Sequence, residues 1–167
     1  VSVDGVDFKV WEKKHPRFKV DRGQYSKKFN HGALKYEIAI DACSNRIVWI
    51  SGPHRGAEHD KTIFKMGLQQ KIPAGKKVIC DRVYGSKDNP QENEKLALPN
   101  LCDEKELGNF KARVRCRHET FNGRIKFFKA LQDTFRHAQK HHKSVFEAIC
   151  IIVIYQMDHG GSSLFSA

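Results

Sequence analysis

The chain has 167 residues, with 30 Lys and Arg against 19 Asp and Glu and a formal net charge of +11. That length fits one domain with a buried core, and the charge favours a polyanionic partner: DNA, RNA or an anionic membrane surface. Eleven Phe residues and a long apolar C-terminal segment set it apart from equally basic histone-like and ribosomal proteins.

Five Cys, odd in number and without dense spacing, point to free thiols in a reducing compartment and not to a disulfide scaffold. A zinc site built on Cys102, Cys116 and His118 has no Cys-x-x-Cys pair behind it. No secretory signal is evident, and the apolar run 148–155 falls far short of the ~20 residues needed to span a bilayer. An intracellular protein is expected, nuclear in a eukaryote. Because Val1 already stands in a strand-like pattern, residues 1–167 are read as a single domain cut from a longer protein.

Taken in order, Val1 to Val10 is rich in β-branched and aromatic residues and predicts a first strand. Asp4 and Asp7 interrupt it. An acid inside a sheet is costly unless it is paired or binds a cation; an edge strand with solvated acids, or a turn at Asp4-Gly5, are the alternatives. From Trp11 to His31, Lys13, Lys14, His15, Arg17, Lys19, Arg22, Lys27 and Lys28 interleave with Trp11, Phe18, Tyr25 and Phe29. Such a pattern suits phosphate contacts with stacking, or an exposed hairpin with a few core anchors. Leu34 to Ala42 and Arg46 to Ser51 predict two strands joined at Ser44-Asn45, and Pro53 to Gly56 is expected to break the sheet. Asp60 is placed as the N-cap of a helix from Lys61 to Gln70.

Lys77 to Cys80 reads as a short buried strand ended by Asp81, and the end of such a strand is where open α/β sheets place their chemistry. A strand-ending Asp that caps the next turn is the plainer account. Ser86 to Asn109 predicts a loop with one short helix around Glu92 to Leu96. Arg115 to Leu131 then has helical spacing, with Phe121, Ile125 and Phe128 on one stripe. At about 100° per residue, Glu119 and Lys126 line up on the opposite face, flanked by Arg115, Asn122 and Gly123. By itself this row is equally an ordinary solvated face of ion pairs. Val145 to Met157 is apolar nearly all round and predicts a buried last helix, with a frayed tail at Gly160 to Ser163. The order β-β-β-α-β-loop-α-α suits a mixed sheet with helices on its faces.

Three acids stand out: Asp4 on the first strand, Asp81 at the end of a later one, and Glu119 on a helix. They are so far apart in sequence that only the fold can bring them together. Clustered carboxylates repel and would hold protons unless cations neutralise them. Hard divalent ions do this, and two of them about 3.5–4 Å apart serve in-line phosphoryl displacement.

The chain resembles the catalytic domain of DDE transposases, and within them the Harbinger-like kind called DDE superfamily endonucleases. The residues that carry the likeness are Val3-Asp4-Gly5-Val6, Gly56-Ala57-Glu58-His59-Asp60, Ile79-Cys80-Asp81-Arg82-Val83-Tyr84-Gly85 and Arg117 to Lys126. The resemblance implies an α/β, RNase H-like domain with a mixed five-stranded sheet flanked by helices. It also implies Asp4, Asp81 and Glu119 as catalytic residues and ligands of two Mg²⁺ or Mn²⁺ ions. Arg115, Glu119 and Lys126 match the Arg-x3-Glu-x6-Lys part of a Tyr-Arg-Glu-Lys pattern in related bacterial enzymes, where the Arg and Lys grip phosphates; the Tyr position is Ala112 here. Lys27, Lys28, Arg55 and Arg124 are further cations expected on DNA.

The implied activity is cleavage of DNA at transposon ends and joining of the 3′-OH ends to a target. A homo-oligomer that synapses two ends is implied, with no membrane and no small-molecule cofactor, and a sequence-specific DNA-binding module is expected N-terminal to this domain. A domesticated domain that binds DNA or protein without cutting, and a nuclease for RNA–DNA hybrids or junctions, are the other readings.

Overall fold

The computed structural model describes residues 1–11, 21–44, 46–86 and 88–159. The cations at positions 13–19, the Asn45 half of the hairpin turn and the expected frayed tail lie outside them.

Strand β1 (Ser2–Lys9) runs inside the sheet. On one side it pairs antiparallel with β3 (His31–Ile40) along its whole length, from Ser2 opposite Ile40 to Lys9 opposite Ala33. On the other it pairs parallel with β5 (Val78–Ile79) only at Ser2–Ile79. β6 (Leu96–Ala97) adds in parallel beyond β5, while β4 (Ile47–Arg55) and the short β2 (Tyr25–Ser26) pair antiparallel with β3. Asp4 and Asp7 therefore stand on a continuous strand with partners on both sides at Ser2 and, through the Phe135 bridge, at Val10, but with no strand on the β5 side in between among the described residues. This removes the turn alternative, and Asp7 is buried and not solvated.

The sheet is mixed and flanked by helices, as expected, but it has six strands, not five. The extra pieces are two-residue strands. β6 lies where a helix around Glu92 to Leu96 was expected. Pro90 instead opens a 3-10 turn, Pro90–Asn93; Lys95 Nζ then donates to the Gln69 and Ile72 carbonyls at 2.9 and 2.8 Å, and the Lys95 carbonyl accepts from the Val78 N–H of β5 at 2.9 Å. Nor does Pro53 break the sheet. It lies within β4, which takes up the irregularity itself as one extra residue between Ser51 and His54, opposite Lys35 to Glu37 of β3. A Pro without an N–H is tolerated on a strand that gives up one ladder bond at a bulge.

Period-two alternation along β1 divides the core between the two faces of the sheet. Val6, Phe8 and Val10 join Phe121 and Ile125 of α3 (Lys105–Phe127) and Phe146, Ile149 and Val153 of α5 (His142–His159). Val3 packs with Phe64 and Leu68 from α1 (Asp60–Met66) and α2 (Leu68–Lys71) on the other face. The single helix expected over 61–70 is interrupted at Gly67, whose N–H closes α1 on the Ile63 and Phe64 carbonyls.

At the centre of the first face Tyr36 stacks on Phe146, with ring centroids 3.9 Å apart, and its hydroxyl lies 2.9 Å from His142 Nδ1. Burial pushes His142 down to about 4. A short helix, α4 (Lys129–Gln132), follows α3, after which Phe135 bridges to Val10.

α5 corrects an expectation. Its sequence is apolar on every side, yet Ile151 and Tyr155 are 67% and 63% exposed, because only one side of the helix meets the sheet and α3. No helix among the described residues is long and apolar enough to cross a membrane. All five cysteines are free thiols.

Phe146→Ala removes a fully buried ring from this stack and is expected to destabilise the fold by about 3–5 kcal/mol, read as a lower urea midpoint at unchanged slope. His142 is held neutral, with a folded pKa below its unfolded value. Its contribution is present above the unfolded pKa of 6.5 and is lost as the pH falls toward about 4. His142→Phe is therefore expected to flatten the fall of melting temperature across that window.

Candidate active site

Strand β1 carries Asp4 onto the face covered by α3. The parallel β5 brings the chain to the same end of the sheet, where it leaves through Cys80 to Asp81. α3 crosses above them, so Asp4, Asp81 and Glu119 line one cleft of ≈ 450 Å³ with Arg115, Lys126 and Lys28. Lys28 arrives from the turn between β2 and β3.

Asp4 is the most confined of the acids. Its Oδ1 accepts from the Gly5 N–H and its Oδ2 from Asn122 Nδ2, each at 2.9 Å. Burial raises its pKa to about 6; the Gly5 hydrogen bond opposes this, nearby Asp60 adds to it, and Lys28 and Lys126 pull it back. The other end of the Asn122 amide, Oδ1, is buried without a partner, as is His118 Nε2, whose Nδ1 lies 2.8 Å from Ser2 Oγ. Asp81 is exposed. It caps the 3-10 turn Arg82–Tyr84 by accepting from the Arg82 N–H at 2.7 Å, and Arg115 Nη1 stands 3.7 Å away. The plain capping role is thus present alongside the cleft position.

Glu119 sits on the cleft wall in an exposed position. The expected stripe of Phe121, Ile125 and Phe128 would have turned it to the far side. The helix stops at Phe127, and its buried positions are Lys111, Val114, His118, Phe121, Asn122 and Ile125. The polar pair His118 and Asn122 moves the centre of the buried face toward the acid, at about 100° per residue. Arg115, Glu119 and Lys126 consequently occupy its shoulder and look along the sheet toward the strand ends.

The other expected DNA contacts divide. Lys126 and Lys28 share the cleft, and burial lowers the Lys126 ammonium pKa. Lys27 lines a neighbouring cleft. Arg55 lies at the end of β4, 3.9 Å from the Asp21 carboxylate, and Arg124 lies in a separate groove with Phe127 and Tyr155.

Asp60 is not the helix cap it was expected to be. His59 holds the N-cap position, and Asp60, the first helical residue, turns its carboxylate to Lys35 Nζ at 2.9 Å. Buried Lys35 also donates to the Glu58 carbonyl at 2.8 Å and lies 3.8 Å from Asp7, which accepts from Ser26 Oγ at 2.9 Å. Gly5 separates this network from Asp4. A Cβ at position 5 would stand 2.6 Å from Asp60 Oδ1, so only glycine fits there without moving the carboxylate. Across the strand pair from Gly5 is Glu37, buried, with Oε1 accepting from Trp49 Nε1 at 3.1 Å; burial pushes its pKa to about 7.

His118, Asn122, Lys35 and Glu37 were not among the expected site residues. The helical spacing of Val114, His118, Phe121, Asn122 and Ile125 could have exposed the first two. Leu34-Lys35-Tyr36-Glu37-Ile38 alternates in the way that turns Lys35 and Glu37 to solvent, but β3 is buried on both faces, so that pattern hides their place in the interior.

A divalent cation fits this donor set in kind. Carboxylate oxygens and an amide oxygen are hard ligands of the sort Mg²⁺ and Mn²⁺ take. The unpartnered Asn122 Oδ1 and the elevated Asp4 pKa both lie where positive charge would be compensated. In this arrangement no three His, Cys, Asp or Glu side chains among the described residues are close enough together to hold one ion. The acids share a cleft without being drawn in around a common centre.

Among known proteins, the family described as DDE superfamily endonuclease matches residues 3–153. No curated protein and no solved structure matches the chain. The family match spans most of the chain and takes in Asp4, Asp81 and Glu119: this chain belongs to the DDE superfamily endonuclease family.

Proposed function

We propose that this domain cuts DNA strands at the ends of a transposable element and joins the freed 3′-OH ends to target DNA. The observation that carries the reading is the single cleft that Asp4, Asp81 and Glu119 line together with Arg115, Lys28 and Lys126. Acids there suit divalent ions, and cations there suit a phosphodiester backbone.

Asp4, Asp81 and Glu119 would hold the ions. Bound there, such ions would supply positive charge against the charge that builds on a reacting phosphodiester. Asn122 fixes the orientation of the Asp4 carboxylate through its amide hydrogen bond. Lys28 and Lys126 offer ammonium groups to non-bridging phosphate oxygens, and Arg115, beside Asp81, offers a fork of N–H donors. In the first step the oxygen of water bonds to phosphorus as the P–O3′ bond breaks, which leaves a 3′-OH. In the second the oxygen of that 3′-OH bonds to a target phosphorus as the target's P–O3′ bond breaks, and the proton lost by the attacking hydroxyl is balanced by the one taken up on the departing target 3′-OH.

One pair of contacts favours a different reading. Asn122 and Arg115 already engage two of the three acids, as they would in a domain that grips DNA without cutting it. Nicking assays separate the two.

Asp4→Ala, Asp81→Ala and Glu119→Ala are each expected to abolish Mg²⁺- or Mn²⁺-dependent nicking of supercoiled plasmid with circular dichroism unchanged. Full nicking by Glu119→Ala would sink the catalytic assignment. Lys126→Ala is expected to weaken DNA binding and to lower the slope of log affinity against log salt by about 1.

A further outcome concerns pH. The folded Asp4 keeps its proton to about 6 while an unfolded Asp releases it near 3.8. Ionised Asp4 therefore lowers stability increasingly between those values and fully above them. In chelator, Asp4→Asn is expected to raise the melting temperature at pH 7.5, with the gain gone below pH 4.

A further inference from the structure

A second concave site adjoins the acid cleft. Its volume is ≈ 350 Å³, and Gly5 and Lys28 line both. The sheet explains why they meet. β5 pairs with β1 only at Ser2–Ile79, and the next contact on that side is the bridge from Phe135 to Val10. Between these points no strand among the described residues covers that edge of β1. The acid cleft lies on the α3 face and the second site extends onto the α1 face, so the two adjoin at Gly5. With no side chain at position 5, the Asp60 carboxylate packs close to the β1 backbone at that junction.

The second site carries only a small positive excess. Lys35 is shared by Asp7 and Asp60, and the Glu58 carboxylate lies 3.4 Å from His54 Nδ1, an imidazole that burial pushes toward its neutral form, so this contact does not cancel the Glu58 charge. Arg22, Lys27 and Lys28 also line the site and bring positive charge. Tyr25, 40% exposed, adds a ring face, and its hydroxyl donates to Asn30 Oδ1 at 3.2 Å across the β2–β3 turn. That bond orients the ring on the same hairpin that presents Lys28. Cations beside an exposed aromatic face, in a cavity near the lower end of the ~300–1,000 Å³ range for small-ligand sites, suit one nucleotide. A base stacked within a duplex cannot enter such a concavity.

We propose that this second site is a nucleotide subsite: it receives the unpaired nucleotide next to the phosphate held in the acid cleft, with its base against Tyr25 and its phosphate at Lys28. The inference rests on the reading of the acid cleft as a DNA site. It adds the form of the substrate, a strand unpaired beside the reacting phosphate, and assigns Tyr25 as the residue that recognises it.

The test uses the 167-residue chain in chelator, so that binding is read without cleavage. Two probes are compared, a blunt duplex and the same duplex with a short single-stranded 3′ overhang carrying 2-aminopurine. The wild type is expected to bind the overhang more tightly and to quench the 2-aminopurine. Tyr25→Ala is expected to lose roughly 5- to 100-fold of overhang affinity, the equivalent of ~1–3 kcal/mol of stacking, to lose the quenching, and to bind blunt DNA as before. Tyr25→Phe, which keeps the ring but loses the bond to Asn30 Oδ1, is expected to retain the overhang preference and the quenching, with a smaller loss of affinity than Tyr25→Ala. Because Tyr25 is half-exposed, an unchanged melting temperature serves as the folding control.

If Tyr25→Ala keeps the wild-type preference for the overhang and the quenching, the subsite is overturned. If the wild type binds both probes equally and Lys126→Ala weakens both, the acid cleft stands as a DNA site and the subsite alone falls. If the wild type binds neither probe, both readings fall together.

Discussion

The rest of this fold depends on a strand that places two carboxylates inside a sheet. Burying an unpaired carboxylate is expensive, so each must find compensation nearby. Asp7 finds it in Lys35 and Ser26, and Lys35 in turn holds Asp60 and the Glu58 carbonyl. That one buried ammonium ties β1, β3 and the start of α1 together. Asp4, on the opposite face, is left with hydrogen bonds from Gly5 and Asn122 and only distant positive charge, which is why its pKa climbs. A single strand thus carries one satisfied acid and one unsatisfied acid, three residues apart. The unsatisfied one faces the cleft.

Removing one partner of a buried ion pair leaves the other charge stranded, at a penalty that often exceeds the worth of the pair. For Lys35 this applies twice over, since Asp7 and Asp60 both rely on it. The network is accordingly part of the structural frame behind the site, and it is what keeps negative charge from Asp60 at a defined distance from Asp4.

Much of this was legible in the residues. The β-branched and aromatic content of Val1 to Val10, the acid ending the short strand at Asp81, and the helical spacing around Glu119 placed all three acids on the right kinds of element. The motifs around them named the family that the comparison then matched. What failed had local physical causes. Phe128 was counted into the stripe although the helix ends before it, and His118 and Asn122, being polar, were not counted as buried; that misaimed Glu119. Asp60 looked like a cap because Asp commonly caps helices, but a buried Lys from a distant strand outcompeted the local N–H groups. Pro53 read as a sheet breaker, yet a register shift absorbed it. The apolar run of α5 read as fully buried, whereas composition says nothing of how many neighbours a helix has.

Gly5 has a consequence for genetics. It does two things at once: it leaves room for the Asp60 carboxylate and it forms part of the wall of both clefts. Any side chain at that position would push on the Asp60–Lys35 pair and reshape the junction of the clefts in the same stroke. Position 5 is therefore pleiotropic, and no substitution there can separate damage to the frame from damage to the clefts. Those two effects come apart only in variants at Tyr25 or Lys28 on one side and at Lys35 on the other.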